Sequence, residues 1–73
     1  MSDTRGVQMI PKLTHRERQI IKLIVKGWTN RAIGEYVQIS EHTAKFHVGN
    51  IAKKMGMSSR TEIAVEAVKR GWA

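Results

Sequence analysis

This chain of 73 residues contains no cysteine, one proline, and only two tryptophans, one tyrosine and one phenylalanine. Without cysteine it can form neither disulfide bonds nor thiolate metal sites. No apolar run approaches the roughly 20 residues needed to cross a bilayer, and residues 1–6 carry no hydrophobic signal segment. The length allows one domain at most. We therefore expect a small cytoplasmic protein with a single core.

Acidic residues are also scarce. The chain has 13 lysines and arginines against 6 aspartates and glutamates, which gives a formal charge of +7 and a pI of about 10.4. No acid lies between Glu41 and Glu62, and this interval contains Lys45, Lys53, Lys54 and Arg60. Such an excess favours a polyanionic partner, either nucleic acid or an anionic membrane surface. A solvated basic face would have the same composition, so the argument depends on where the charges lie.

The sequence lacks the residue combinations that enzymes and metal sites need. It has no glycine-rich phosphate loop, no nucleophile paired with a base, and no pair of carboxylates suited to acid–base chemistry. Its histidines are His15, His42 and His47. His42 and His47 are five residues apart and would point to different sides of one helix, so they form no two-ligand metal face. We therefore predict no catalytic activity, no cofactor and no metal site.

The starts of the first and last helices are predicted by two capping boxes, one formed by Thr14 with Glu17 and the other by Ser59 with Glu62. Gly27 is the predicted end of the first helix because glycine tolerates a positive φ. Helical spacing predicts an apolar stripe along one side of each of these helices. The stripes are Ile20, Ile21, Leu23, Ile24 and Val25 in the first helix, and Ile63, Ala64, Ala67 and Val68 in the last.

A second, short helix is predicted from its cap at Thr29 to about Val37, with Tyr36 partly buried. Gly34 stands in the middle of this helix, where glycine costs up to about 1 kcal/mol relative to alanine. A contact between helices that is too close for a side chain would explain it. Ser40 is the predicted cap of a third helix that covers residues 41–55.

The third helix has two different faces. Its apolar stripe consists of Ala44, Val48, Ile51, Ala52 and Met55. At about 100° per residue, the opposite face centres on Phe46 and Lys53 and is flanked by His42, Gly49 and Asn50. In a helix-turn-helix, the second helix lies in the major groove of DNA and its first turns meet the base edges. We therefore predict a compact all-α domain of four helices that contains a helix-turn-helix.

The ordered set of residues resembles the LuxR-type (GerE-like) DNA-binding domain of bacterial transcription regulators. The resemblance covers residues 13 to 72. The matching residues are Leu13-Thr14, Arg16-Glu17-Arg18, Gly27, Thr29-Asn30-Arg31, Ile33, Ile39-Ser40-Glu41, Thr43, Lys45, His47, Ile51, Lys53-Lys54, Met55-Gly56-Met57 and Arg60. Ala44 and Gly34 depart from the family pattern, because a branched residue and an alanine are usual there.

The resemblance implies a bacterial regulator that binds double-stranded DNA sequence-specifically as a homodimer, in the cytoplasm and at the nucleoid when bound. Residues 13–73 would form this domain and residues 1–12 a flexible tail or the remnant of a linker. The predicted base-contacting positions are His42, Lys45, Phe46 and Gly49, where Phe46 suits a thymine methyl group. The predicted phosphate-contacting residues are Thr29, Asn30, Arg31, Thr43, Asn50, Lys53, Lys54 and Arg60.

The last helix would supply the dimer contacts, which we expect from Val65, Val68, Lys69 and Trp72. For Trp72 the alternative is that it seals the end of the monomer. The rival function is a protein-interaction module of the same fold, which would dock on RNA polymerase or on another regulator. A helix at a membrane surface is disfavoured because its apolar face is needed for the core.

Overall fold

The computed structural model describes residues 12–72, and within this range the chain forms four helices and no strand. The helices are α1 (His15–Val25), α2 (Asn30–Val37), α3 (Glu41–Met55) and α4 (Arg60–Lys69). The predicted all-α class is therefore confirmed. The predicted tail, apart from Lys12, and Ala73 lie outside the described residues. None of the described helices combines the length and the apolar character needed to span a membrane.

Each helix begins at a side-chain hydroxyl that accepts a hydrogen bond from the backbone three residues later. The predicted capping box of α1 is complete, since Oε1 of Glu17 also accepts from the Thr14 N–H at 2.9 Å. The capping box predicted for α4 was only half right. Ser59 caps the helix, but Glu62 accepts from the N–H and the hydroxyl of Ser58 instead of the Ser59 N–H. Ser58 offers two donors to one carboxylate oxygen, and this pair of bonds replaces the predicted reciprocal bond.

The core is built from one face of each helix, with α1 packed on α4 and α2 packed on α3. Its largest fully buried side chains are Ile20, Ile21, Ile33, Ile51 and Ile63. One prediction of burial was wrong. Tyr36 is 61% exposed because its ring rests edge-on against Trp28, outside the core, at a centroid distance of 5.2 Å. On α4 the buried stripe is narrow and consists of Ile63 and Ala67, and Val68, a predicted dimer contact, is 59% exposed.

The turn between α2 and α3 explains Gly34. A Cβ built on Gly34 would lie 2.7 Å from the carbonyl oxygen of Ile39, and the Ile39 N–H donates to the Gly34 carbonyl at 2.8 Å. The expected close contact therefore exists. It is made by backbone atoms of Ile39 and Ser40, and not by a side chain of the facing helix. Gln38 turns the chain in the left-handed conformation, with φ of 63°. This turn sets the direction in which α3 leaves α2.

Candidate nucleic-acid interface

The outer face of α3 is open to solvent. His42, Lys45, Phe46, Gly49 and Lys53 are all exposed, and Phe46 as a whole residue is 62% exposed. The opposite face of the same helix is anchored in the core by Ala44 and Ile51, which are fully buried. The predicted orientation of the helix is therefore confirmed.

The first turn of α3 is fixed by its cap. Ser40 Oγ accepts a hydrogen bond from the Thr43 N–H at 3.0 Å and donates one to Thr43 Oγ1 at 2.9 Å. The Thr43 hydroxyl thus accepts a hydrogen bond from inside the protein, and its own O–H is left to donate outwards. This arrangement suits a donor to an anionic oxygen, which is the role predicted for Thr43.

One turn after Phe46, Gly49 leaves the surface of α3 without a side chain. A Cβ at Gly49 would meet nothing within 4 Å, so no contact inside the described part of the chain requires a glycine here. The Phe46 ring stands at 62° to the ring of His47, with the centroids 6.3 Å apart. The outer face therefore presents a bulky aromatic group next to an empty position.

Lys54, a predicted phosphate contact, is engaged within the protein. Its Nζ donates to Oε1 of Glu17 at 2.7 Å and to the Lys12 carbonyl at 3.3 Å. Glu17 is only 4% exposed. Burial is the largest single influence on the pKa of Glu17 and raises it, but the hydrogen bonds from Lys54 and Thr14 together hold this pKa below its ordinary value. The sequence explained Glu17 by its cap alone, and no local pattern connects it to a lysine 37 residues away.

Arg60, another predicted phosphate contact, also has partners within the protein. Its Nη1 donates to the Trp28 carbonyl and its Nη2 to Oδ1 of Asn30, both at 2.9 Å. Arg31 is different, because its ion pair with Glu35 is long, at 3.6 Å, and both side chains are well exposed. Exposed pairs of this kind contribute little. Arg31 thus stays available to a partner, whereas Arg60 is committed to the start of α2.

The exposed side of α4 carries a small apolar surface. Val65 is 51% exposed, and together with Val68 it borders an open groove whose other lining residues are Val25, Ala64 and Lys69. Trp72, in contrast, packs against the core of the same chain, and the Arg70 guanidinium lies 5.1 Å from its ring centroid. This geometry favours the interpretation that Trp72 seals the end of the monomer over the interpretation that it contacts a second copy.

A family model described as "Bacterial regulatory proteins, luxR family" matches residues 11–67. The transcriptional regulatory protein DegU of Brevibacillus brevis is 48% identical over 60 residues, which are 82% of this chain and 25% of DegU. The spore germination protein GerE of Bacillus subtilis is 36% identical over 64 residues, which are 88% of this chain and 86% of GerE. A solved structure of the transcription factor GerE superposes on this chain with a TM-score of 0.75 at 35% sequence identity. The superposition covers 82% of this chain and 90% of the GerE chain. The chain thus spans about a quarter of DegU and most of GerE.

Proposed function

We infer the function of this chain from its family: it belongs to the luxR family of bacterial regulatory proteins, which comprises DNA-binding transcription regulators. On this basis, α3 would read a specific sequence in the major groove of double-stranded DNA. The observation that carries the proposal is the outer face of α3. It presents Lys45, Phe46 and Lys53 to solvent, while Ala44 and Ile51 hold its other face in the core. A helix that is anchored in the core on one face and presents basic and aromatic side chains on the other meets the requirement of a helix-turn-helix.

The side chains divide into two groups by the contacts that they would make. His42, Lys45 and Phe46 would meet base edges, and the position of Gly49 would allow close approach of the DNA. A bidentate lysine contact with guanine discriminates by about 1–3 kcal/mol, and a phenylalanine fits a thymine methyl group. The phosphate contacts would come from Thr29, Asn30, Arg31, Thr43, Asn50 and Lys53. Lys54 and Arg60 are left out of this set because their charged groups already have partners.

The protein would bind as a homodimer, with Val65, Val68 and Lys69 of α4 at the seam. Two exposed valines beside an open apolar groove supply self-complementary surface for such a contact. The two copies of α3 would then enter successive major grooves about 34–36 Å apart, and the binding site would have dyad symmetry. In this role the protein works in the cytoplasm, at the nucleoid when bound. For the longer relatives, the domain would account for the DNA-binding part alone.

The first test is selection of bound sequences from a random DNA pool, which yields the half-site, its symmetry and its spacing together. The expected result is a site of two related halves. A pool that remains random after selection at low salt contradicts sequence-specific binding. Absence of any binding at low salt would favour the rival interaction module.

The salt dependence of affinity is a second, quantitative prediction. If each copy neutralises about three phosphates, a dimer neutralises about six, and the slope of log K against log salt concentration is roughly −5. Fluorescence anisotropy titrations of the selected site at several salt concentrations measure this slope. An affinity that does not change with salt would contradict the electrostatic part of the proposal.

A further inference from the structure

The side-chain amide of Asn30 has a defined orientation. A guanidinium group has only donors, so the Asn30 atom 2.9 Å from Nη2 of Arg60 must be the acceptor Oδ1. The amide nitrogen Nδ2 therefore points away from Arg60. Nη1 of the same guanidinium donates to the Trp28 carbonyl, so the orienting group is itself anchored to backbone.

Nδ2 of Asn30 is left as a free donor within the described part of the chain. No hydrogen bond from it to residues 12–72 is present, and no buried side-chain nitrogen or oxygen in this range lacks a partner. Nδ2 therefore reaches solvent. The neighbouring Thr29 hydroxyl accepts the cap bond from the Ala32 N–H at 3.1 Å, and the Arg31 side chain is exposed. An oriented N–H donor beside an exposed cation suits an anionic oxygen.

We propose that Arg60 is a positioning residue: it orients Asn30 so that Nδ2 donates to one phosphate of the DNA backbone, and its own guanidinium does not bind that phosphate. This inference rests on the proposed function. Arg60 is half-buried and two of its N–H groups are directed into the protein. A side chain that is already ordered before binding loses less conformational entropy on contact. The residue that supplies this order lies 30 positions away in the sequence.

The test uses the selected DNA site with one phosphate at a time replaced by an uncharged methylphosphonate. Wild-type protein should lose roughly tenfold to a hundredfold in affinity at the phosphate bound by Asn30, since the substitution removes the charge that makes this hydrogen bond strong. Asn30→Asp keeps an oxygen for Arg60 but replaces the donor with a negative oxygen. It should bind unmodified DNA at least roughly tenfold more weakly, and the methylphosphonate at that one phosphate should restore affinity.

Gln19→Glu on α1 is the matched control, because it makes the same change from amide to acid and the same change in net charge. It should reduce affinity only slightly and should keep the wild-type methylphosphonate pattern. If Asn30→Asp and Gln19→Glu bind DNA equally well, the assignment of Asn30 is overturned.

Arg60→Lys separates positioning from direct contact, since lysine keeps the charge but lacks the planar pair of Nη donors that holds the Trp28 carbonyl and Oδ1 of Asn30 at once. The proposal expects this variant to lose the response at the phosphate of Asn30, and Arg60→Lys combined with Asn30→Ala to bind no more weakly than Asn30→Ala alone. A response that persists in Arg60→Lys, or additive losses, would overturn the positioning role of Arg60.

Order of the amide in the free protein gives a readout that does not depend on any variant. The side-chain N–H signals of Asn30 in wild-type protein should show restricted motion by NMR relaxation, and a freely moving amide overturns the proposal. If wild-type protein shows no specific DNA binding, the proposed function is refuted. A specific site with no phosphate that depends on Asn30 would refute only this inference.

Discussion

At the scale of the residue, three lysines of α3 that look equivalent in the sequence have different surroundings. Lys45 and Lys53 are exposed, and neither has an ion-pair partner among residues 12–72. Lys54 follows Lys53 directly, but its ammonium group is held by the buried carboxylate of Glu17. One step along a helix is about 100°, which is enough to move a side chain from the outer face to the seam with α1. The charge available to DNA is therefore smaller than the count of basic residues indicates.

Lys45→Ala and Lys53→Ala should have different effects on DNA binding. Lys45→Ala should reduce affinity for the selected site by about 1–3 kcal/mol and relax discrimination at one base pair. Lys53→Ala should weaken all sequences alike and reduce the salt slope by about one for each copy, because a phosphate contact carries no sequence information. Titration of each variant against the selected and a scrambled duplex measures both quantities. An equal loss of discrimination in the two variants would be inconsistent with these roles.

At the scale of the element, the geometry of the helix-turn-helix depends on backbone contacts in the turn. The Ile39 carbonyl approaches α2 more closely than a Cβ at position 34 permits. Gln38 adopts a left-handed conformation that ends α2, and Ser40 then caps α3. This close approach explains why a residue without a side chain stands at position 34.

Alanine substitutions at the two helical glycines should have opposite effects. Gly49→Ala should stabilise the protein by up to about 1 kcal/mol, since the position is open and alanine favours a helix. Gly34→Ala should destabilise it by about 1–3 kcal/mol, because the new Cβ collides with a backbone oxygen that can move only if the turn moves. Urea denaturation of the two variants measures the difference in the free energy of unfolding. Equal stabilities would show that the turn adjusts without cost.

At the scale of the whole molecule, the pair of Glu17 and Lys54 joins the start of α1 to the end of α3. It connects α1 to the helix proposed to enter DNA. Removal of the ammonium leaves a buried carboxylate with fewer partners. Lys54→Ala should therefore lower the free energy of unfolding by about 1–2 kcal/mol, a value reduced because the lysine is partly exposed.

The same pair predicts how stability depends on pH. The pKa of Glu17 in the folded protein is below its ordinary value of 4.5, so the unfolded chain takes up this proton first as the pH falls. The contribution of Glu17 to the free energy of unfolding is therefore fully present above about pH 4.5, and it is lost as the pH decreases through the pKa of Glu17 in the folded protein. The pKa of Glu62 is also lowered, by its hydrogen bonds with Ser58, and acts in the same direction.

Urea denaturation of wild-type protein and Glu17→Gln from about pH 7 to about pH 3 tests this prediction. The wild-type free energy of unfolding should fall below about pH 4.5. Glu17→Gln should be less stable at neutral pH and less sensitive to acid, with a residual slope from Glu62. An acid response unchanged by the substitution would show that other carboxylates dominate.

The sequence by itself determined the four helices and the face of α3 that meets solvent. A hydroxyl cap and its partner lie three residues apart, and an apolar stripe repeats every three or four residues, so both are visible along the chain. Only the tertiary structure decided which cations are free, because Lys54 meets Glu17 across 37 positions and Arg60 meets Asn30 across 30. It also exposed Tyr36 and placed Trp72 against the core. Pairing and burial depend on which distant segments come together, and a local pattern carries no information about that.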